Sequence, residues 1–268
     1  MSYCGIRVLI LPLLLVCAAL CSADDPLTAL PEIPFRIDQR IAHDATLFTQ
    51  GMAFQGDTLL ESGGGYRESR LLSRTLHSVT PLTSIGLARE WFAEGLTVQD
   101  GQLLLLTWQE GIAQQYSLPA LKPLQQFRYR GEGWGLTSDG AHLIQSDGSA
   151  ILRFRDPADF HVVKELHVRA NGKVLRQLNE LEWVQGWILA NVWLSDWIVG
   201  IDPQTGNAAW KLDIGTLLSP LERRTADVPN GIAWHAPSGR LWVSGKHWPW
   251  LFSLQVTLPP IAPAAVPQ

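Results

Sequence analysis

The segment EGLTVQDGQLLLLTW, residues 94–108, decides the fold. It opens on a polar residue, a glycine and a large aliphatic residue, and continues as a short apolar run. It then turns at Asp100-Gly101 and returns through QLLLLTW. Turn residues between two apolar runs are the signal of a β-hairpin. The opening recurs as QGMAF at 50–54, WGLTS at 134–138, NELEW at 179–183 and NGIAW at 230–234, with Glu180 replacing the glycine in the fourth copy. The return strand recurs as TLLESGG (58–64), HLIQSDG (142–148), WILANVW (187–193) and RLWVSGK (240–246). A third strand follows as LLSRTL, IAQQYSL, ILRFRD, IVGIDP and LFSLQV. A fourth follows in the first four units as LTSIGL, LQQFRY, VVKELHV and AAWKLDI.

Units of about 40–50 residues, each of four strands, are the arithmetic of a β-propeller. The expected fold is therefore all-β: a five-bladed β-propeller over residues 24–256 with no second domain. The fifth unit lacks an outer strand, and PFRIDQRIAH at 34–43 is free to supply it. An N-terminal strand completing the last blade closes the ring and leaves no unpaired edge there.

Outside this array lie two short segments. Residues 1–23 read as a secretory signal: Arg7, the apolar run Val8 to Leu20, then Cys21-Ser22-Ala23 before Asp24-Asp25. Residues 257–268, TLPPIAPAAVPQ, read as a Pro-rich disordered tail. The expected protein is exported, periplasmic or secreted, and free of the membrane once the signal is removed. All three cysteines (Cys4, Cys17, Cys21) fall within the signal, so the mature chain has neither disulfide nor thiolate chemistry. A net charge of −4 without basic runs argues against nucleic acid as a partner. With 46% apolar residues, the chain can build its own core, and a monomer is expected.

The hairpin register brings the start of each first strand close to the end of its return strand. Gln50 and Gly64, Glu94 and Trp108, Trp134 and Gly148, and Asn179 and Trp193 are each 14 residues apart. This predicts one rim carrying Gln50, Glu94, Trp134, Asn179, Asn230, Trp108, Trp193 and Lys246. The rim holds one carboxylate, one ammonium group, carboxamides and three of the twelve tryptophans. Trp183, Trp210, Trp234 and Trp242 are expected in the core, and Glu61 and Glu182 are expected to hold neighbouring blades together. No His set has metal spacing, and neither a nucleophile elbow nor a phosphate loop is present. The candidate chemistry is proton transfer by Glu94 beside a cation, inside an aromatic cup. A structural Glu–Lys pair is an equally good reading of the residues alone. The runner-up function is a non-catalytic exported propeller binding peptides or glycans; a second enzyme alternative is a metal-dependent propeller lactonase, although Lys246 disfavours a catalytic cation.

FTQG (48–51), FAEGLT (92–97), LTW (106–108), EGWGLTSDG (132–140), SDGS (146–149), LNELE (178–182), ANVW (190–193), IDPQTG (201–206), NGIA (230–233) and GKHWP (245–249) occur in this order. Together they resemble the plant and bacterial glutaminyl-peptide cyclotransferases, a family of five-bladed propellers. The resemblance implies conversion of N-terminal glutaminyl residues of peptides or proteins to pyroglutamyl, with release of ammonia. It implies Glu94, Lys246 and Asn179 as catalytic residues, and Phe48, Gln50, Phe92, Trp108, Trp134, Trp193 and Asn230 as substrate-binding ones. No cofactor or catalytic metal is implied, while room remains for a structural cation in the channel. Gly63-Gly64-Gly65 departs from the family, which more often has a Thr-Gly pair there.

Overall fold

A computed structural model of the chain describes residues 26–261. The leader at 1–23, with all three cysteines, and residues 262–268 lie outside the described residues. Five sheets, each built on four antiparallel strands, follow one another along the chain. Their innermost strands are Thr49–Gln55, Ala93–Gln99, Leu136–Ser138, Leu178–Val184 and Pro229–His235. Each touches the next, and the fifth touches the first, so the sheets form a closed ring of five blades.

Burial explains the sequence pattern from inside to outside. The second strands, such as Gln102–Thr107, are apolar almost throughout and buried almost throughout, because neighbouring blades cover both of their faces. The outer strands, such as Val162–His167, show most of their residues to solvent. The ring closes as expected. Phe35–Ala42 pairs antiparallel with Trp250–Val256, with Phe35 opposite Val256 and Ala42 opposite Trp250. A buried network reinforces this seam. Glu61 in blade one meets His43 Nε2 at 2.7 Å and accepts from Arg74 Nε at 2.5 Å, while His43 Nδ1 donates to the Trp248 carbonyl at 2.8 Å. Burial alone would raise the Glu61 pKa; the His43 ring and the Arg74 guanidinium overcome it and hold it at about 2.

Blade four carries additions absent from the sequence expectation. A small hairpin, Arg169–Ala170 with Lys173–Val174, adds to its outer edge. The N-terminal segment lies along the same strand: Lys211 N–H donates to the Pro31 carbonyl at 2.9 Å, and Ile33 N–H to the Lys211 carbonyl at 3.0 Å. The start of the Pro-rich stretch departs from the expected free tail. Trp187 Nε1 donates to the Pro259 carbonyl at 2.8 Å, and Leu258 and Ile261 pack against the cluster between blades four and five.

At the axis the innermost strands approach so closely that side chains are excluded. A Cβ on Gly95 would lie 2.6 Å from Leu136 N, and one on Gly135 would lie 2.1 Å from the Asn179 carbonyl oxygen. Blade four breaks this series with Glu180. Its carboxyl accepts from Ile232 N–H at 2.8 Å and Met52 N–H at 3.3 Å, joining blades five and one across the axis. The least regular copy of the repeat thus supplies an axial pin. Glu182, two residues on, accepts from Trp234 N–H at 2.7 Å and Thr137 Oγ1 at 3.2 Å, and so joins blades three, four and five. Of the four tryptophans expected in the core, Trp210 and Trp242 are buried there. Trp183 and Trp234 are partly buried, and both line the opening at the far end of the axis.

Candidate active site

The innermost strands all begin at one end of the axis, and there each carries an irregularity. In blades one, two, four and five the register between first and second strands slips at Gln50, at Glu94-Gly95, at Asn179-Glu180 and at Asn230-Gly231. In blade three Trp134 N–H donates to the Ser146 carbonyl, and Ser146 N–H donates to the Gly135 carbonyl, so two residues again oppose one. These are β-bulges, which insert a residue and turn its side chain away from the regular pleat. They also correct the 14-residue pairing expected from sequence. The backbone partner of Trp108 is Phe92, that of Trp193 is Gln177, that of Gly64 is Phe48, and that of Lys246 is Val228. Each partner stands two residues before the expected one; the bulge accounts for one of these, and the hairpin register, which pairs Leu96 with Leu105, for the other.

The bulges deliver Gln50, Glu94, Trp134 and Asn179 into a cavity of about 160 Å³, completed by Phe92, Trp108, Trp193 and Lys246. Eight of the ten sequence-predicted site residues therefore meet in one place. The other two stand behind it. Asn230 is fully buried; its Nδ2 donates to Gln50 Oε1 at 2.9 Å and to the Thr49 carbonyl at 3.1 Å. Phe48 lies under the ammonium group, with Lys246 Nζ 4.5 Å from its ring centroid. It also borders a neighbouring cleft of about 460 Å³ that shares Phe92 with the cavity and includes Gly63, Gly64, Gly65 and His247.

A relay of carboxamides fixes the central carboxylate. Asn230 holds the Gln50 oxygen, so the Gln50 NH₂ points at Glu94 and donates to its Oε1 at 2.9 Å. Glu94 is nearly buried, and burial pushes its pKa well above the ordinary carboxylate value. Lys246 opposes that rise, and Glu132 and Glu110 add to it. Burial lowers the Lys246 pKa in turn, while Glu94 and Asp227 oppose the fall. No ion pair joins Glu94 and Lys246 among the described residues, although both line the same space. The Asn179 Oδ1 is buried there without a hydrogen-bond partner, an acceptor that a ligand N–H can satisfy.

Indoles form the walls. Trp134 and Trp193 meet edge to face at 5.5 Å, and Phe92 meets Trp108 in the same way at 5.6 Å. Sequence reasoning missed Glu132, whose Oε2 accepts from both Trp108 Nε1 and Trp134 Nε1 at 2.9 Å. The available signal was its spacing. Residues i and i+2 of an extended segment share a side, and Glu132 precedes Trp134 by two.

Among the described residues, the grouping of possible metal-ligating side chains is Asp156, Asp159 and His161, in a surface turn of blade three. Its carboxylates already accept turn N–H groups, Asp156 from Ala158 at 2.8 Å and Asp159 from His161 at 3.0 Å.

Comparison with known proteins agrees with this fold. The sequence model of the family described as Glutamine cyclotransferase matches residues 9–256. A glutaminyl-peptide cyclotransferase of Arabidopsis thaliana is 38% identical over 221 residues, covering 80% of this chain and 68% of the relative. The crystal structure of Myxococcus xanthus glutaminyl cyclase superposes with a TM-score of 0.75 at 34% identity, covering 84% of this chain and 98% of that one.

Proposed function

The chain belongs to the glutamine cyclotransferase family and catalyses conversion of an N-terminal glutaminyl residue to pyroglutamyl with release of ammonia, and we propose that Glu94 carries the proton through both halves of that reaction. The observation behind this reading is one carboxylate and one ammonium group sharing an indole-walled cavity about the size of a single residue.

The reaction is intramolecular. The substrate α-amine attacks the γ-carboxamide carbon of its own side chain, and the C–N bond to the departing nitrogen then breaks. The indole faces of Trp108, Trp134 and Trp193 hold the side chain folded back on the amine; such orientation is worth up to about 7–11 kcal/mol in favourable cases. The α-amine has a free pKa of about 7.7–8.0, and only its neutral form is a nucleophile, so the proton of the ammonium form goes to solvent before the ring closes. Glu94 takes the proton released at nitrogen as the ring closes, then returns it to the leaving group, which departs as NH₃. One carboxylate suffices because the proton removed is the proton required. Its raised pKa suits both acceptance and return near neutral pH. The Lys246 ammonium stabilises the tetrahedral oxyanion. The unpartnered Asn179 oxygen accepts from the substrate amine or amide. Gln50 is turned by Asn230 to orient Glu94, and so serves the carboxylate before it serves the substrate.

In this reading no metal takes part in the chemistry, the substrates are peptides carrying N-terminal glutamine, and the enzyme acts as an exported monomer. The leader at 1–23 supports export. Incubation with a Gln-initiated peptide, with and without chelator, followed by mass spectrometry, tests the chemistry. Loss of ammonia regardless of chelator is expected. Loss only when metal is present overturns the metal-free route, and no loss leaves a peptide-binding propeller.

A further inference from the structure

We propose that Glu132 is a positioning residue of this active site, clamping two of its indole walls and adding a fixed negative charge at its rim. The inference rests on the reading of Glu94 given above and adds a residue to it. Glu132 lies between the outer strand of blade two, Lys122–Arg128, and the innermost strand of blade three, Leu136–Ser138. A carboxylate oxygen offers two lone pairs, and here one oxygen, Oε2, takes an indole N–H from each of two blades: Trp108 of blade two and Trp134 of blade three. The other oxygen accepts from Gln109 Nε2 at 3.1 Å. Burial would raise the pKa of this carboxyl; the donors Trp134, Trp108 and Gln109 overcome it and hold it below the ordinary value. Glu132 therefore stays charged at neutral pH.

The backbone around Glu132 does not depend on that side chain. Gly133 N–H donates to the Trp108 carbonyl at 2.9 Å, Trp134 N–H to the Ser146 carbonyl at 3.1 Å, and Gln145 Nε2 to the Glu132 carbonyl at 3.1 Å. Removing the carboxylate leaves the segment tied at these points and frees the indoles. The carboxylate also acts on Glu94 through space. Lys246 of blade five lowers the Glu94 pKa, and Glu110 and Glu132 raise it. Gln50 of blade one donates to Glu94 without charge, Tyr66 and Tyr129 face it as neutral phenols with raised pKa values, and Asp227 reaches it through Lys246.

Two variants separate the two roles. Glu132→Gln keeps a carbonyl oxygen able to accept both indoles but removes the charge. Glu132→Ala removes both. Steady-state turnover of a Gln-initiated peptide is measured across pH for each, alongside melting temperature and Trp emission, with Glu94→Gln as reference. In Glu132→Gln the acid limb of kcat/KM is expected to move to lower pH by about half a unit, because a negative charge facing Glu94 is gone. In Glu132→Ala kcat is expected to fall by about 5- to 30-fold, equivalent to one or two hydrogen bonds, with melting within about 4 °C of the parent and a shifted Trp emission. Unchanged kcat and emission in Glu132→Ala overturn the clamp. An unmoved acid limb in Glu132→Gln overturns the charge effect. Full turnover by Glu94→Gln would instead sink the reading of Glu94 itself, and the clamp then stands or falls on the alanine variant alone.

Discussion

Glu94 and Glu180 occupy the innermost strands of blades two and four, and both are buried carboxyls whose pKa burial pushes far above the ordinary value. Their surroundings separate them. Glu94 receives one side-chain amide from Gln50, and it borders a cavity that also holds an ammonium group and an orphaned amide oxygen. Glu180 receives two backbone N–H groups from two other blades and is not among the residues that line that cavity. A raised pKa therefore marks burial, and burial serves two ends here. What distinguishes the carboxyl we propose as the reacting one is access, together with a cation placed near it but not bonded to it.

The contrast is open to attack at several points. Glu94→Gln is expected to cost the most, about 10²–10⁴ in kcat at retained fold, read by ammonia release and circular dichroism. Retention of turnover would erase the distinction between the two carboxyls. Lys246→Met comes next, with a loss of about 10²-fold from an unsupported oxyanion. Because Lys246 lowers the Glu94 pKa, its removal should also move the acid limb of the pH profile upward. Glu180→Ala is expected to act on stability instead. It leaves the Met52 and Ile232 N–H groups without acceptors, at about 1–3 kcal/mol by denaturant unfolding, with a smaller fall in turnover than either of the preceding variants. The smallest effect on turnover concerns Glu182, which burial raises from 4.5 to about 8 in the folded chain. Between those values the unfolded chain has lost a proton that the folded chain keeps, so stability should fall as pH rises from 4.5 to about 8. Glu182→Gln should flatten that slope in a series of melting temperatures.

Much of this was legible in the sequence because a propeller repeats its local rules. The hairpin at 94–108 and its copies identify every blade, and the unmatched strand at 34–43 identifies the seam. The site emerged from the same repeat, since equivalent positions in a ring converge on its axis. What the repeat could not convey is where the register slips. A bulge adds one residue without changing the apolar pattern on either side, so the pairing of Trp108 with Phe92 was hidden. Asn230 shares its repeat position with Gln50, yet it turns inward against it, where its NH₂ donates to the Gln50 oxygen and leaves the Gln50 NH₂ for Glu94. Glu180 looked like a degraded copy of a glycine, and only the crowding between neighbouring strands shows why one side chain is admitted at the axis and four are not. Glu132 was read as part of the motif EGWGLT, and its bond to Trp108 depends on a contact between blades that spacing along one strand cannot reveal.

The seam between Phe35–Ala42 and Trp250–Val256 has a consequence for how the molecule comes into being. The oldest strand to leave the ribosome waits for the youngest, and Lys246 resides in the sheet that their meeting completes. A nascent chain can assemble its first four sheets in order, but its cavity lacks the Lys246 ammonium group until the fifth sheet is made, because that side chain arrives with the keystone.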